Sequence, residues 1–199
     1  MSVEEAKYTV LEKEGNFEVR QYEPCVVAET IVEADFDRAG NIAFRRLYDY
    51  ISGYNRKRES IAMTAPVSQQ TGSEKIAMTA PVSQQAGSEK IAMTAPVSQQ
   101  RSEDKWAISF MMPAQHTMQT LPEPMDPAVV LREIPARKMA AVRYSGTWGR
   151  ARYEQNKARL EAFIRDRGMN IVGEPIFARY NPPFLPFFLR RNEVLIPVE

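Results

Sequence analysis

Apolar and polar residues alternate along most of this chain, and twice the period lengthens from two to three or four. Residues 8–14 (YTVLEKE) and 17–22 (FEVRQY) alternate on either side of Gly15-Asn16, which predicts a hairpin. Residues 25–32 (CVVAETIV) are rich in β-branched side chains and predict a third strand. After Asp35 the period changes. Phe36, Gly40, Ala43, Phe44, Leu47, Tyr48 and Ile51 fall on one helical face, and Arg38, Arg45, Arg46 and Asp49 on the other. This predicts a helix over 36–51, with Asp35 as N-cap and Gly53 as its stop.

A tandem repeat follows. Residues 61–100 read IAMTAPVSQQTGSEK, IAMTAPVSQQAGSEK and IAMTAPVSQQ; the two complete copies differ only at Thr71 against Ala86. Each IAMTAPV has a β-branched start and a proline near its end, where a missing ladder donor is tolerated. Each SQQ-x-GSEK has turn chemistry, so the block predicts strand, turn, strand, turn, strand. WAISFMM (106–112) alternates and is a further strand.

Beyond a proline-rich loop over 113–127 the same order of elements recurs. VVLREI (129–134) and KMAAVRYS (138–145) predict strands. Thr147 precedes a helical period over 148–166 that carries Trp148, Ala151, Leu160, Phe163 and Ile164, and Gly168 ends it. Residues 170–180 read as a strand, 181–192 as an aromatic, proline-rich loop, and NEVLIPV as a closing strand. At an offset of 112, Val19-Arg20-Gln21-Tyr22 falls on Leu131-Arg132-Glu133-Ile134 and Phe36 on Trp148. The fold class is therefore α+β: a duplicated β-α-β-β unit, one largely antiparallel sheet curved into a partial barrel, and two helices packed on it. One domain over 1–199 is expected, with pseudo-repeat halves at about 8–112 and 128–199. One IAMTAPV copy serves as a strand of the first unit, because it aligns with 171–177; the other two are insertions.

Composition narrows the function. The 26 basic and 25 acidic residues give a formal charge of +1, which offers no basic face for nucleic acid. Cys25 is the only cysteine, so neither an intramolecular disulfide nor a cysteine zinc cluster forms. The N-terminus has no signal-peptide pattern and no apolar run is long enough to span a bilayer, so a cytoplasmic protein is expected.

The motifs then point to a family. K-I-A-M-T-A-P-V after a helix ending Y-I-x-G-x-N, with F-E-V-R-Q-Y near the N-terminus and Y-N-P-P-F…R-R-N-E-V near the C-terminus, resembles the SOUL haem-binding protein family from Tyr8 to Val198. The resemblance implies non-enzymatic, non-covalent binding of haem b, free porphyrin or another tetrapyrrole. It also implies a distorted antiparallel barrel with two helices. Related folds serve drug-responsive regulators, so an effector-sensing or protein-interaction module is the alternative. Where some members are thought to set basic residues against the propionates, this chain has Asn41 and Leu185.

The candidate residues follow from that expectation. A tetrapyrrole is expected on the apolar face of helix 36–51 and its facing sheet: Phe44, Leu47, Tyr48 and Met63, with the aromatic cluster Phe177, Tyr180 and Phe184. Arg45, Arg46, Arg190 and Arg191 are the candidate carboxylate partners, because guanidinium binds carboxylate as a fork. They read equally as a solvated helix face and a structural Arg-Arg-Asn-Glu turn. His116 is the sole histidine and the candidate iron ligand; it also reads as an ordinary loop residue. The ten methionines read as pocket fillers or as axial ligands. Cys25 follows Pro24, the reverse of the haem-regulatory order. No G-x-S-x-G elbow accompanies His116, and no catalytic residue is assigned. The repeat strands offer edges for self-association.

Overall fold

The computed structural model describes residues 4–56, 88–102, 105–181 and 184–199. In chain order the elements are β1 (Glu4–Glu5), β2 (Tyr8–Glu14), β3 (Phe17–Tyr22), β4 (Cys25–Val32), α1 (Phe36–Ile51), β5 (Asn55–Arg56), β6 (Thr94–Ala95), β7 (Val97–Ser102) and β8 (Lys105–Met111). Then come β9 (Glu123–Pro124), β10 (Val129–Ile134), β11 (Arg137–Tyr144), α2 (Arg150–Asp166), β12 (Ile176–Arg179), a 3-10 turn (Phe187–Leu189) and β13 (Asn192–Pro197).

Nine strands form one antiparallel sheet in the order β10-β4-β8-β7-β12-β13-β11-β3-β2. Its symmetry lies between β7 and β12. On either side the order runs through the two strands that follow a helix, then the strand before it, then the first strand of the other unit. The halves are therefore exchanged: β10 pairs with β4 and β3 with β11. Two short links, Glu23-Pro24 between β3 and β4 and Pro135-Ala136 between β10 and β11, join strands that are six places apart in this order. Such links cannot span a flat sheet whose strands lie ~4.8 Å apart, so the sheet must curl. The result is a distorted, incompletely closed barrel.

Both helices pack on one face of the sheet. α1 buries Ala39, Ala43, Leu47, Tyr50 and Ile51 against Ala28, Val32, Ile108 and Phe110. α2 buries Tyr153, Leu160, Phe163 and Ile164 against Ala140, Val142, Phe177 and Val194. Phe36 opens α1 yet belongs to the second cluster, where it stacks on Tyr153 and Phe177 and ties the halves together.

Three local expectations are corrected. The SQQ of the third repeat copy is not a connector: Val97–Ser102 is a central strand, paired with both β8 and β12. Its buried Gln99 is satisfied by donating to Phe36 O (3.0 Å) and accepting from Arg179 (2.9 Å). The cap of α2 is Gly149, not Thr147, and no side chain caps it. Over 170–180 only Ile176–Arg179 joins the sheet, because Pro175 has no N–H and Gly173 lies against Pro197; Ile171 keeps a single bridge to Val198. The first repeat copy, with Met63, and the second copy up to residue 87 lie outside the described residues.

The ends of the described chain around the repeat block meet. Asn55 donates to Glu89 O (2.7 Å) and accepts from Glu89 N (2.9 Å), while Ile91 N donates to Ile51 O (2.7 Å). The described chain on either side of residues 57–87 is thus held together.

Candidate functional site

The expected helix face divides in two. Leu47 is fully buried and holds α1 to the sheet. Phe44 and Tyr48, one turn apart, point outward, 38% and 48% exposed. Their rings stack at 5.9 Å and 12°, and Phe44 also rests edge-on against Phe110. Two parallel rings on a helix surface form a flat apolar platform with little rotamer freedom. Arg45 beside them is exposed, and Asn41 lies one turn before Phe44 or Arg45 on this outer surface.

The C-terminal loop lies against the segment before α2, where Gly146 N donates to Phe187 O (3.1 Å). Phe184 is 85% exposed, and Phe187, Phe188 and Leu189 are exposed with it. The guanidinium of Arg190 lies 4.4 Å over Trp148 and donates to Leu185 O at 2.7 Å. On the other side of the loop, Arg191 and Tyr180 turn into the barrel. There Glu193, fully buried, accepts from Arg20 at 2.7 and 3.1 Å, from Arg191 at 3.1 Å and from Tyr180 at 2.8 Å. Burial pushes the Glu193 carboxyl up, but the Arg20 bonds and both guanidinium charges outweigh it and hold the group below the usual carboxylate value. Burial also raises the Tyr22 phenol, which accepts from Arg20, to about 12. Arg191 and Tyr180 are thus engaged in holding the barrel, and Phe177 is fully buried in the second core cluster. Of the expected set, Phe44, Tyr48 and Arg45 share the outer face of α1.

Sequence reasoning missed Arg179. It is half-buried on the helix face of β12, in a cross-strand row with Asn192 and Tyr144. Its guanidinium sits 4.8 Å from the Phe177 ring, 5.4 Å from Trp148 and 6.0 Å from Phe36. Burial lowers its pKa to about 10, and Asp37, the one acid whose charge bears on it, forms no ion pair with it. Among the described residues, five buried side-chain polar atoms lack a partner; four of them are Arg179 Nε, Tyr144 Oη, Trp148 Nε1 and Asn192 Oδ1. The signal was present in F-A-R-Y: with period two, Arg179 shares the helix-facing side of β12 with Phe177.

His116 lies elsewhere. It is half-buried in the wall of a cavity of about 680 Å³ at the end of the barrel, with Cys25, Met111 and Met112. A smaller cavity of about 90 Å³ adjoins it inside the barrel, lined by Arg137, Met139, Ile176 and Leu195. His116 Nε2 is 3.4 Å from Gln115 Nε2. Burial raises the Cys25 thiol, which makes it a poor nucleophile at neutral pH. Among the described residues no group of three or more His, Cys, Asp or Glu is arranged to hold a metal ion.

Compared with known proteins, the chain matches the family described as "SOUL heme-binding protein" over residues 3–73 and 68–197. The chain belongs to this family. The two stretches meet inside the repeat block. Heme-binding protein 2 of Homo sapiens is 44% identical over 55 residues, 27% of each chain, and that of Mus musculus 42% over 55 residues, again 27% of each. The aligned stretch thus spans about a quarter of the length of these relatives. Among solved structures, the EcmrR C-terminal domain is similar with a TM-score of 0.60 at 11% identity, covering 96% of this chain and 98% of that one. A structure described as a hydrolase from Listeria innocua is similar at 0.56 and 10% identity, covering 95% and 94%. At such identity these two show a shared fold only. Among the described residues no helix is long and apolar enough to cross a membrane.

Proposed function

We propose that this protein binds haem or another tetrapyrrole non-covalently and without catalysis, as a carrier or buffer in the cytoplasm. The observation that carries the reading is the outward stack of Phe44 and Tyr48 on α1, in a chain of the SOUL heme-binding family. A planar macrocycle gains contact on parallel rings, and the exposed Phe184, Phe187 and Phe188 supply further apolar surface in the loop that carries Leu185. The residues suit a porphyrin ring. Iron ligation is not needed, because His116 stands in the barrel-end cavity rather than beside the platform. Metal-free protoporphyrin is therefore expected to bind as well as haem.

The test is titration followed by Soret absorbance and by tryptophan quenching. Phe44→Ala with Tyr48→Ala is expected to weaken binding at least tenfold without unfolding the protein, since both rings are exposed. His116→Ala is expected to leave the Soret maximum in place. Unchanged affinity in the double variant, or a Soret shift on loss of His116, overturns the platform. The cavity of about 680 Å³ favours a second reading, an effector-sensing module for other small apolar ligands, since its volume is of the ~300–1,000 Å³ typical of such sites. Binding of such ligands that survives loss of Phe44 and Tyr48 but not a bulky Met112→Trp would favour it. The third repeat copy has its strand Val97–Ser102 paired on both edges, so self-association through the repeat strands would fall to the copies outside the described residues.

A further inference from the structure

Arg179 is held where an arginine is expensive to hold. A half-buried guanidinium normally has a carboxylate, and none among the described residues pairs with this one. Nη2 donates to Gln99, and among the described residues no hydrogen bond engages Nη1. The helix beside it is adapted to its presence. Gly40 stands in the interior of α1, where glycine weakens a helix, and a Cβ there would come within 2.8 Å of Arg179 Nη1. Space for the guanidinium is thus kept by a residue that the helix itself disfavours.

Most of the orphan groups around it are donors. Tyr144 Oη, Trp148 Nε1 and Arg179 Nε can each donate, and Asn192 Oδ1 in the same cross-strand row is an acceptor; all four are buried and without a partner among the described residues. Trp148 lies between two guanidinium groups, Arg179 at 5.4 Å and Arg190 at 4.4 Å. It immediately precedes Gly149, the cap of α2, whose first-turn N–H groups have no capping side chain. With the Arg179 guanidinium 5.4 Å from the Trp148 ring and Tyr144 in the same cross-strand row, three orphan donors and two cations are grouped near the start of a 17-residue helix, and such a grouping suits an anion. The spot is one helical turn from the aromatic platform: Gly40 faces Arg179, and Phe44 follows Gly40 by four residues.

We propose that Arg179, Tyr144 and Trp148 form a carboxylate clamp, in which Arg179 and the two neutral donors hold an acidic side arm of a ligand lying on the Phe44–Tyr48 platform. The inference rests on the tetrapyrrole reading and supplies what Asn41 and Leu185 lack, a positive partner for the acid groups. It also sets the ligand class: planar and apolar, with at least one flexible carboxylate.

The experiment compares protoporphyrin IX with its dimethyl ester on the wild-type protein and on Tyr144→Phe and Arg179→Gln. Wild type is expected to bind the diacid at least tenfold more tightly than the ester. Tyr144→Phe removes only an unpartnered hydroxyl, so a purely structural role predicts no loss of stability and no loss of binding. The clamp predicts unchanged thermal unfolding of the free protein, about tenfold weaker diacid binding and unaltered ester binding. Arg179→Gln is expected to bring diacid and ester together. Equal affinity for diacid and ester in the wild type overturns the clamp and leaves the platform standing. So does a Tyr144→Phe protein with undiminished diacid binding, the result expected if an ordered water satisfies these donors. If the wild type binds neither compound, the tetrapyrrole reading fails and the clamp fails with it.

Discussion

Glu193 carries the largest single electrostatic load in the barrel, with Arg20, Arg191 and Tyr180 all donating to it. Its folded pKa lies below the usual value, so the unfolded chain binds more protons as pH falls through the carboxylate range. The stability it contributes is fully present above about pH 4.3, the unperturbed value, and is lost as pH drops through the lower folded pKa. Glu193→Gln leaves the nearly inaccessible Arg20 with only Glu18 (2.7 Å) as counter-charge and is expected to cost up to about 3 kcal/mol at pH 7. Urea unfolding at pH 7 and in steps below pH 4.5 checks both parts: the variant begins lower, and it lacks the portion of the acid loss that Glu193 contributes. The network was partly legible in advance. Arg191 and Glu193 stand in the Arg-Arg-Asn-Glu segment, but their partner Arg20 is 173 residues away from Glu193, and only the pairing of β3 beside β11 and β13 brings it there.

At the scale of elements, α1 shows what periodicity can and cannot assign. The helix has the expected bounds, 36–51, but its buried face takes in Ala39 and Tyr50, which the expected face left out, and leaves Phe44 and Tyr48 exposed. A single wide stripe nevertheless serves two purposes. Leu47 and Ala43 face the sheet, whereas Phe44 and Tyr48, next to them in sequence, face outward. Hydrophobicity alone does not separate a core position from a binding position when both are apolar, because a helical stripe wider than its contact leaves an exposed margin. The energetic contrast is testable on adjacent turns. Leu47→Ala is expected to cost about 2–5 kcal/mol, as for other fully buried leucines. Tyr48→Ala is expected to cost less than about 1 kcal/mol, because about half of the ring is already in water. Chemical denaturation of the two variants measures the difference, and equal losses would refute the assignment of Tyr48 to the surface. The start of α2 was less legible: Thr147 has the chemistry of a cap, but Trp148 is drawn between Arg179 and Arg190, and the helix begins only after Gly149.

The exchange of first strands between the halves determines how the whole molecule coheres. The duplication was visible as a faint offset of 112, yet the sequence carries no mark of which strand pairs with which. Two separate β-α-β-β sheets and one exchanged sheet have the same pattern of buried positions. The structure has β3 beside β11 and β10 beside β4, so each half supplies an edge that the other requires. A fragment of residues 1–112 keeps β3 on β2 and β4 on β8 but removes the second neighbour of each, β11 and β10, and is expected to be largely unfolded alone. Circular dichroism should show strand signal returning when it is mixed with a fragment of residues 113–199. A fragment that folds independently would show that the halves are separable after all. Pairings of such long sequence separation also slow folding, because chain closure precedes the contacts that reward it.

The clasp of Asn55 on Glu89 has a consequence for how this chain can change over generations. Near-identical tandem copies gain and lose units whenever replication slips, and such events usually ruin a folded domain. Here the slippage falls between two points that the fold already holds together, on the same side of one polar clasp. The entropic cost of closing a chain segment rises only by about 0.6 kcal/mol for each doubling of its length. Adding or losing 15 residues at this place is therefore nearly silent in stability. Deleting residues 76–90 should leave the melting temperature and porphyrin affinity essentially as they are, and their loss would refute this. Copy number here can drift while the barrel, its platform and its arginines stay fixed.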